Sequence, residues 1–213
     1  MQVTEIYKSL QGESTHAGLP CVFVRLTGCN LRCSWCDSEY TFHGGHRMSA
    51  DEIMAAVSRL SPGGGLVEIT GGEPLLQERE VVPLMRRFID QGYLVLLETS
   101  GERPLHSVPR EVIKIVDVKC PDSGEAGTFR LENLNSLTAQ DELKFVLASR
   151  ADYEWAREAV ATHAIDRRCM VLFSPVHGKV NPRELAEWII EDKLPVRFQL
   201  QLHKLLWNDA PGH

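Results

Sequence analysis

CVFVRLTGCNLRCSWCD, residues 21 to 37, joins a β-rich run to three closely spaced cysteines, Cys29, Cys33 and Cys36. Its first half is strand-length and rich in β-branched and aromatic residues, and it stops at Thr27-Gly28. Runs of the same kind recur at GLVEITGG (65 to 72), YLVLLETSG (93 to 101), VIKIVDVKC (112 to 120), ELKFVLAS (142 to 149) and CMVLFSPVHG (169 to 178). The intervals are too long for hairpins. Helical segments fill several of them. Ser49 precedes DEIMAAVSRL with Glu52 three residues on, a capping box, and Ile53, Val57 and Leu60 keep helical spacing. REVVPLMRRFIDQG ends at Gly92, DYEWAREAVATHA begins at Asp152, and Asn181-Pro182 opens NPRELAEWIIEDK as cap and first turn. Strand, helix, strand in this order implies parallel pairing.

Six such units in 213 residues fall short of a closed eight-unit barrel, which takes about 250 residues. The expected fold is therefore α/β, a partial, open TIM-like barrel of about six parallel β/α units, with a doubly wound sheet as the alternative. No repeat or linker divides the chain, so residues 1 to 213 are expected to form a single domain. Ser107 to Pro109 and Ser123 to Thr128 look like local loops, and the closing NDAPGH looks frayed.

Composition narrows the function. Hydrophobic residues at 43% and charged residues at 24% are ordinary globular values, so disorder and membrane classes are excluded. A formal charge of −6 without a basic stripe makes nucleic acid a poor partner. The start, MQVTEIYKSLQGES, has no basic segment followed by an apolar one, and the expectation is a cytoplasmic protein.

Charges also sit where buried parallel strands should be apolar: Arg25, Glu68, Glu98, Asp117, Lys119 and Lys144, mostly near strand C-termini. Internal ion pairs would account for any one of them. A polar cavity at the end of the barrel where active sites lie accounts for all six. The CxxxCxxC spacing suits thiolate ligation of zinc or an iron–sulfur cluster. Zinc needs a fourth ligand, for which His43 and His46 are available; a cubane on three cysteines keeps one iron open for a ligand. Cys21, Cys120 and Cys169 read as small core residues.

CxxxCxxC after a first strand, with Trp35 before the last cysteine and ITGGEP (69 to 74) on the next strand, resembles the radical S-adenosylmethionine enzymes. The resemblance implies a four-iron four-sulfur cluster on Cys29, Cys33 and Cys36 whose free iron chelates S-adenosylmethionine. EIYKSLQGES (5 to 14), Arg25, DVKCP (117 to 121) and QLHK (201 to 204) extend it, over nearly the whole chain, to the 7-carboxy-7-deazaguanine synthases. That family performs a magnesium-dependent ring contraction of 6-carboxy-5,6,7,8-tetrahydropterin with loss of ammonia, leading to queuosine and other 7-deazapurines. It has an abbreviated barrel, is typically a homodimer, and needs an electron donor such as flavodoxin or another low-potential reductant. By resemblance, Leu10, Gln11, Gly12, Glu13, Arg25, Thr70 and His203 bind the pterin, and Ser38 takes the place of the family's usual threonine as magnesium ligand. Gly72, Glu73, Ser100, Lys119, Ser123 and the stretch Ser174, Pro175, Val176 and His177 belong to the cofactor shell. No protein group beyond cluster and cofactor is assigned a catalytic role. The rival classes are a glycyl-radical activating enzyme and a non-catalytic zinc or electron-transfer module.

Overall fold

A computed structural model describes residues 1 to 208; the expected fraying of NDAPGH falls, beyond Asn208, outside the described residues. Among the described residues, nine strands make one sheet: β1 (Gln2–Leu10), β2 (Pro20–Leu26), β3 (His46–Arg47), β4 (Gly65–Gly71), β5 (Tyr93–Thr99), β6 (Ile113–Val118), β7 (Glu142–Leu147), β8 (Met170–Pro175) and β9 (Arg197–Phe198). Their spatial order is β3-β1-β2-β4-β5-β6-β7-β8-β9. From β2 through β9 each neighbouring pair is parallel, which includes all six expected strands. β1 is an addition to the expected set. It runs antiparallel to β2 and carries β3 on its outer side.

The helices are α1 (Ala50–Leu60), α2 (Glu78–Asp90), α3 (Arg150–His163), α4 (Pro182–Glu191) and the short α5 (Leu202–Trp207). Ser49 and Glu52 form the expected capping box on α1, with Ser49 Oγ accepting from Glu52 N and Glu52 accepting from Ser49 N at 2.7 Å. Asn181 caps α4, with Pro182 in its first turn. Helix α3 begins earlier than expected, on the cap Ser149. The fold departs from six full β/α units between β5 and β7: a loop joins β5 to β6, and short 3-10 turns stand in place of a helix between β6 and β7. Pro104, Pro109 and Pro121 punctuate those connections, and each removes a helical N–H.

The helices pack on one face of the sheet. Val22, Val24, Leu26, Val67, Ile69, Val95 and Leu97 meet Ile53 and Val57 of α1 and Val81, Leu84 and Phe88 of α2. Leu143, Phe145, Val171 and Phe173 meet Tyr153 of α3 and Leu185 of α4. The opposite face carries Cys21, Phe23, Leu66, Leu96, Ile113 and Ile115 at its lower level; Arg25, Thr70, Glu98 and Asp117 share the alternation of those residues on their strands, and Lys144 and Ser174 alternate with the outward Leu143, Phe145 and Phe173. A doubly wound sheet would place helices on both faces. One-sided packing instead gives a curled, open barrel with a concave interior.

The slot between the β1 and β9 edges is bridged without strand pairing. Leu202 N donates to Gly12 O at 2.8 Å, and Gln201 Nε2 donates to Glu13 Oε1 at 2.9 Å. Gly12 allows this close approach: a Cβ there would run into the His203 ring. Among the described residues, no helix is long and apolar enough to cross a membrane.

Candidate active site

Three backbone bonds fasten the cysteine loop to the turn after β4 and to its own exit. Gly28 N donates to Thr41 O at 2.7 Å, Glu73 N to Gly28 O at 2.8 Å, and Gly72 N to Leu26 O at 3.2 Å. Gly72 is packed so closely that a Cβ would meet Gly28 O, and Cys29 Cβ at 2.7 Å. A second clamp comes from the loop after β6. Ser34 N donates to Ser123 O at 3.0 Å, Ser34 Oγ to Asp122 O at 2.8 Å, and Arg32 N to Glu125 Oε1 at 2.6 Å.

Cys29, Cys33 and Cys36 are free and half-buried. Burial raises all three thiol pKa values, that of Cys33 to about 11, while the Lys119 ammonium facing them draws each down. Among the described residues, no three His, Cys, Asp or Glu side chains converge tightly enough to hold a single metal ion. His43 and His46 are exposed, with His46 in β3. The donor set is thus three soft sulfurs and a cation, which suits a cubane gripped at its corners better than one tetrahedral ion.

The remaining expected cofactor residues fall into two groups. Glu73 is buried and its carboxylate is occupied by the protein itself. It accepts from Leu75 N, Thr99 Oγ1, Ser100 N and Ser100 Oγ at 2.7 to 3.0 Å. Toward a cofactor, Glu73 therefore offers backbone, and its side chain braces the turn. Ser100 shares that engagement. Ser123 is likewise buried, its Oγ donating to Cys120 O at 2.6 Å. Lys119 Nζ lies 2.9 Å from Asp117 Oδ2; burial opposes the lysine's charge, and Asp117 and the Cys33 thiolate together outweigh it and raise the lysine pKa. Ser174, at the end of β8, is fully buried with its Oγ unpartnered. Pro175, Val176 and the exposed His177 line an open cavity of about 480 Å³ together with Asn181, Leu200 and Gln201.

Of the expected substrate residues, Gln11, Glu13 and Thr70 meet buried charges around Lys144. Its ammonium lies 2.5 Å from Glu13 Oε2, 2.5 Å from Glu98 Oε1 and 3.7 Å from Asp117 Oδ2. Burial alone would discharge Lys144; the three carboxylates outweigh it and push its pKa well up. In return, Lys144 overrides burial to hold Glu98 below the usual carboxylate range. Glu68 has no such cation in contact, so burial and the Glu98 and Glu13 charges push its pKa well above that range. Gln11 Nε2 donates to Glu68, and Thr70 Oγ1 to Glu98 Oε2 at 3.2 Å. Leu10 ends β1 immediately before this segment.

Arg25 lies opposite the outward Val24 and Leu26, as expected, but its fork is engaged: Nε donates to Glu5 Oε1 at 2.9 Å and Nη2 to Tyr7 Oη at 2.7 Å. Ser38 Oγ donates to Asp37 Oδ1 at 2.9 Å, and Gln201 Nε2 lies 3.5 Å from Asp37 Oδ2. His203 sits against Gly12 in α5. Glu5, Tyr7, Gln199 and Gln201 had not been singled out individually. For Gln199 and Gln201 a signal was available in the strict polar and apolar alternation of FQLQLH (198 to 203), whereas EIYK (5 to 8) shows no such regularity.

Known proteins line up with this arrangement along most of its length. The model of the Radical SAM superfamily matches residues 23 to 189. A protein of Koribacter versatilis named 7-carboxy-7-deazaguanine synthase is 60% identical, with 98% of this chain and 97% of that protein covered. One of the same name from Chlorobaculum tepidum is 46% identical, covering 100% and 97%. The crystal structure of QueE from Escherichia coli superposes with a TM-score of 0.77 at 23% identity, over 95% of this chain and 94% of that one, and shows the same fold.

Proposed function

This chain belongs to the 7-carboxy-7-deazaguanine synthases of the radical S-adenosylmethionine superfamily, and on that premise we propose that it contracts 6-carboxy-5,6,7,8-tetrahydropterin to 7-carboxy-7-deazaguanine with loss of ammonia. The observation that carries the reading is the meeting of Gln11, Glu13, Arg25 and Thr70 around Glu68, Glu98 and Lys144, on the concave face of the sheet that feeds the cysteine loop. A four-iron four-sulfur cluster on Cys29, Cys33 and Cys36, with S-adenosylmethionine, supplies one-electron cleavage of a carbon–sulfur bond when bound.

The chain's own part is recognition and exclusion of water. Arg25, oriented by Glu5 on Nε and Tyr7 on Nη2, turns the rest of its guanidinium to the substrate carboxylate, for which a planar donor group is the match. Glu13, held by Lys144 and Gln201, accepts from the guanidine-like edge of the pterin, and Gln11 completes that edge. Thr70 and His203 contact the substrate from β4 and α5. Gly72 brings backbone to the cofactor, while Lys119 faces the thiolates. We propose a single domain acting as a homodimer in the cytoplasm, in keeping with six unpaired cysteines, served by a low-potential reductant such as flavodoxin. Anaerobic reconstitution with iron and sulfide, followed by assay of deoxyadenosine and product with and without the carboxylated pterin, tests the assignment. Wild-type enzyme that yields no deazaguanine under those conditions would overturn it.

Two substitutions separate the roles. Arg25→Lys keeps charge but loses the fork, and is expected to weaken pterin binding by about 1.5 kcal/mol or more, roughly tenfold. S-adenosylmethionine affinity should stay the same, and equal loss for both ligands would make Arg25 structural. Magnesium, a hard ion that takes oxygen ligands and keeps waters, fits the Ser38 hydroxyl beside Asp37. If Ser38 and the substrate share the ion, metal and pterin each raise the other's affinity by one factor, on the order of 1 to 3 kcal/mol. Titrations of each ligand with and without the other should show that coupling shrink in Ser38→Ala, with iron content unchanged.

A further inference from the structure

Among the described residues, none satisfies the polar side chain of Gln199. Its residue is 7% exposed, and both ends of its amide, Oε1 and Nε2, lack a hydrogen-bond partner. Its position follows from strand register. Phe173 of β8 pairs with Phe198 of β9, and both pack outward with the α3 and α4 core. One residue further along each strand, Ser174 and Gln199 turn to the concave face, and Gln199 N donates to Phe173 O at 3.0 Å to hold the step. Ser174 is also fully buried with an unpartnered Oγ. An amide and a hydroxyl thus lie as neighbours on the interior wall with unused hydrogen-bonding capacity.

Buried polar groups without partners are rare because desolvation is not repaid. Two adjacent ones on the concave face of the sheet are the mark of a partner supplied from outside. We propose that Gln199, with Ser174 beside it, reads the edge of a nitrogen heterocycle that presents a donor next to an acceptor. A carboxamide offers one acceptor and one donor in a plane, which matches an aminopyrimidine edge in a bidentate pair. That edge has two sources in the reaction proposed above, on which this inference rests: the adenine of S-adenosylmethionine and the ring of the pterin. A specificity role follows, because a site built to pair such an edge rejects ligands that lack it.

The test uses the reconstituted enzyme and its Gln199→Leu and Gln199→Glu variants, measuring dissociation constants for S-adenosylmethionine and for the carboxylated pterin, and the melting temperature without ligand. Gln199→Leu should weaken one of the two ligands about 10- to 100-fold and leave the other within twofold, the affected one naming the heterocycle. Its ligand-free melting temperature should equal or exceed that of the wild type, since an unsatisfied amide has been removed. Gln199→Glu keeps the acceptor, loses the donor, and should weaken the same ligand. Both affinities unchanged in both variants would overturn the proposal, as would a lower melting temperature of Gln199→Leu with intact affinities. Weakened binding in an enzyme that makes no deazaguanine would leave Gln199 in place and remove the reaction.

Discussion

Replacing Cys33 with alanine should reduce bound iron and sulfide from about four of each per chain to near zero and abolish product formation. Cys33 is the middle thiol of the loop, and the thiols lie close enough to feel one another: a Cys36 thiolate raises the Cys33 pKa, as a Cys29 thiolate raises that of Cys36. With one corner lost, only two thiols of the CxxxCxxC loop remain to grip the cluster. Cys169→Ala is the control. Its thiol is buried at the start of β8 and its pKa is raised by burial to about 12, so it behaves as an inert core group. That variant should keep its iron. Iron and sulfide assays on both proteins decide the matter, and stoichiometric zinc without a visible chromophore in the wild type would exclude the cluster.

Lys144→Met should lower the stability of the ligand-free protein by about 3 to 5 kcal/mol, because it strands Glu13 and Glu98 without their shared cation. At about 2 to 4 °C per kcal/mol for a chain of this size, the melting temperature should fall by roughly 6 to 20 °C. The pH dependence should invert as well. In the wild type Lys144 depresses the Glu98 pKa, so Glu98 contributes stability above its unfolded pKa that is lost as pH falls through the folded one. In the variant burial, the largest cause, and the Asp37 charge act against the weaker pull of Lys119, the folded pKa rises above the unfolded one, and acid stabilises. The gap between the two proteins should therefore narrow from pH 8 to pH 5. A constant gap would mean that Lys144 contributes packing alone.

The six parallel strands could be read from their alternation and from turn residues at their ends, since Val22, Val24 and Leu26 need only a period of two to declare an outward face. β1 was missed because QVTEIYKSL carries polar residues at most positions, and such a strand lacks the apolar row that marks a buried one. The absent helices between β5 and β7 were foreshadowed by prolines. At the site, Cys29, Cys33 and Cys36 are close in sequence and so were visible together. The Lys144 network was visible only as scattered charges, because Glu13, Glu98 and Asp117 arrive from three other segments. Glu73 was expected to face a cofactor; its bonds to Thr99 and Ser100 depend on a strand 26 residues away, which local pattern does not reveal.

The bridged slot has a consequence for the order in which this molecule assembles. Gln201 reaches Glu13 across 188 residues of chain, and Thr15 reaches Glu142 across 127, whereas each strand and its following helix are neighbours in sequence. Contacts of such separation wait until the local units have docked. The slot is thus the seam that knits last and unzips first, and its few bonds make it the place of lowest opening free energy. Amide exchange should show it: Leu202 N–H, bonded only across the seam, should trade its proton well before the central strand amides of β4 and β5. A vessel that stays open on one side until the end lets iron, sulfide and later the heterocycles enter laterally, without unfolding the parallel strands that hold the cysteine loop in place.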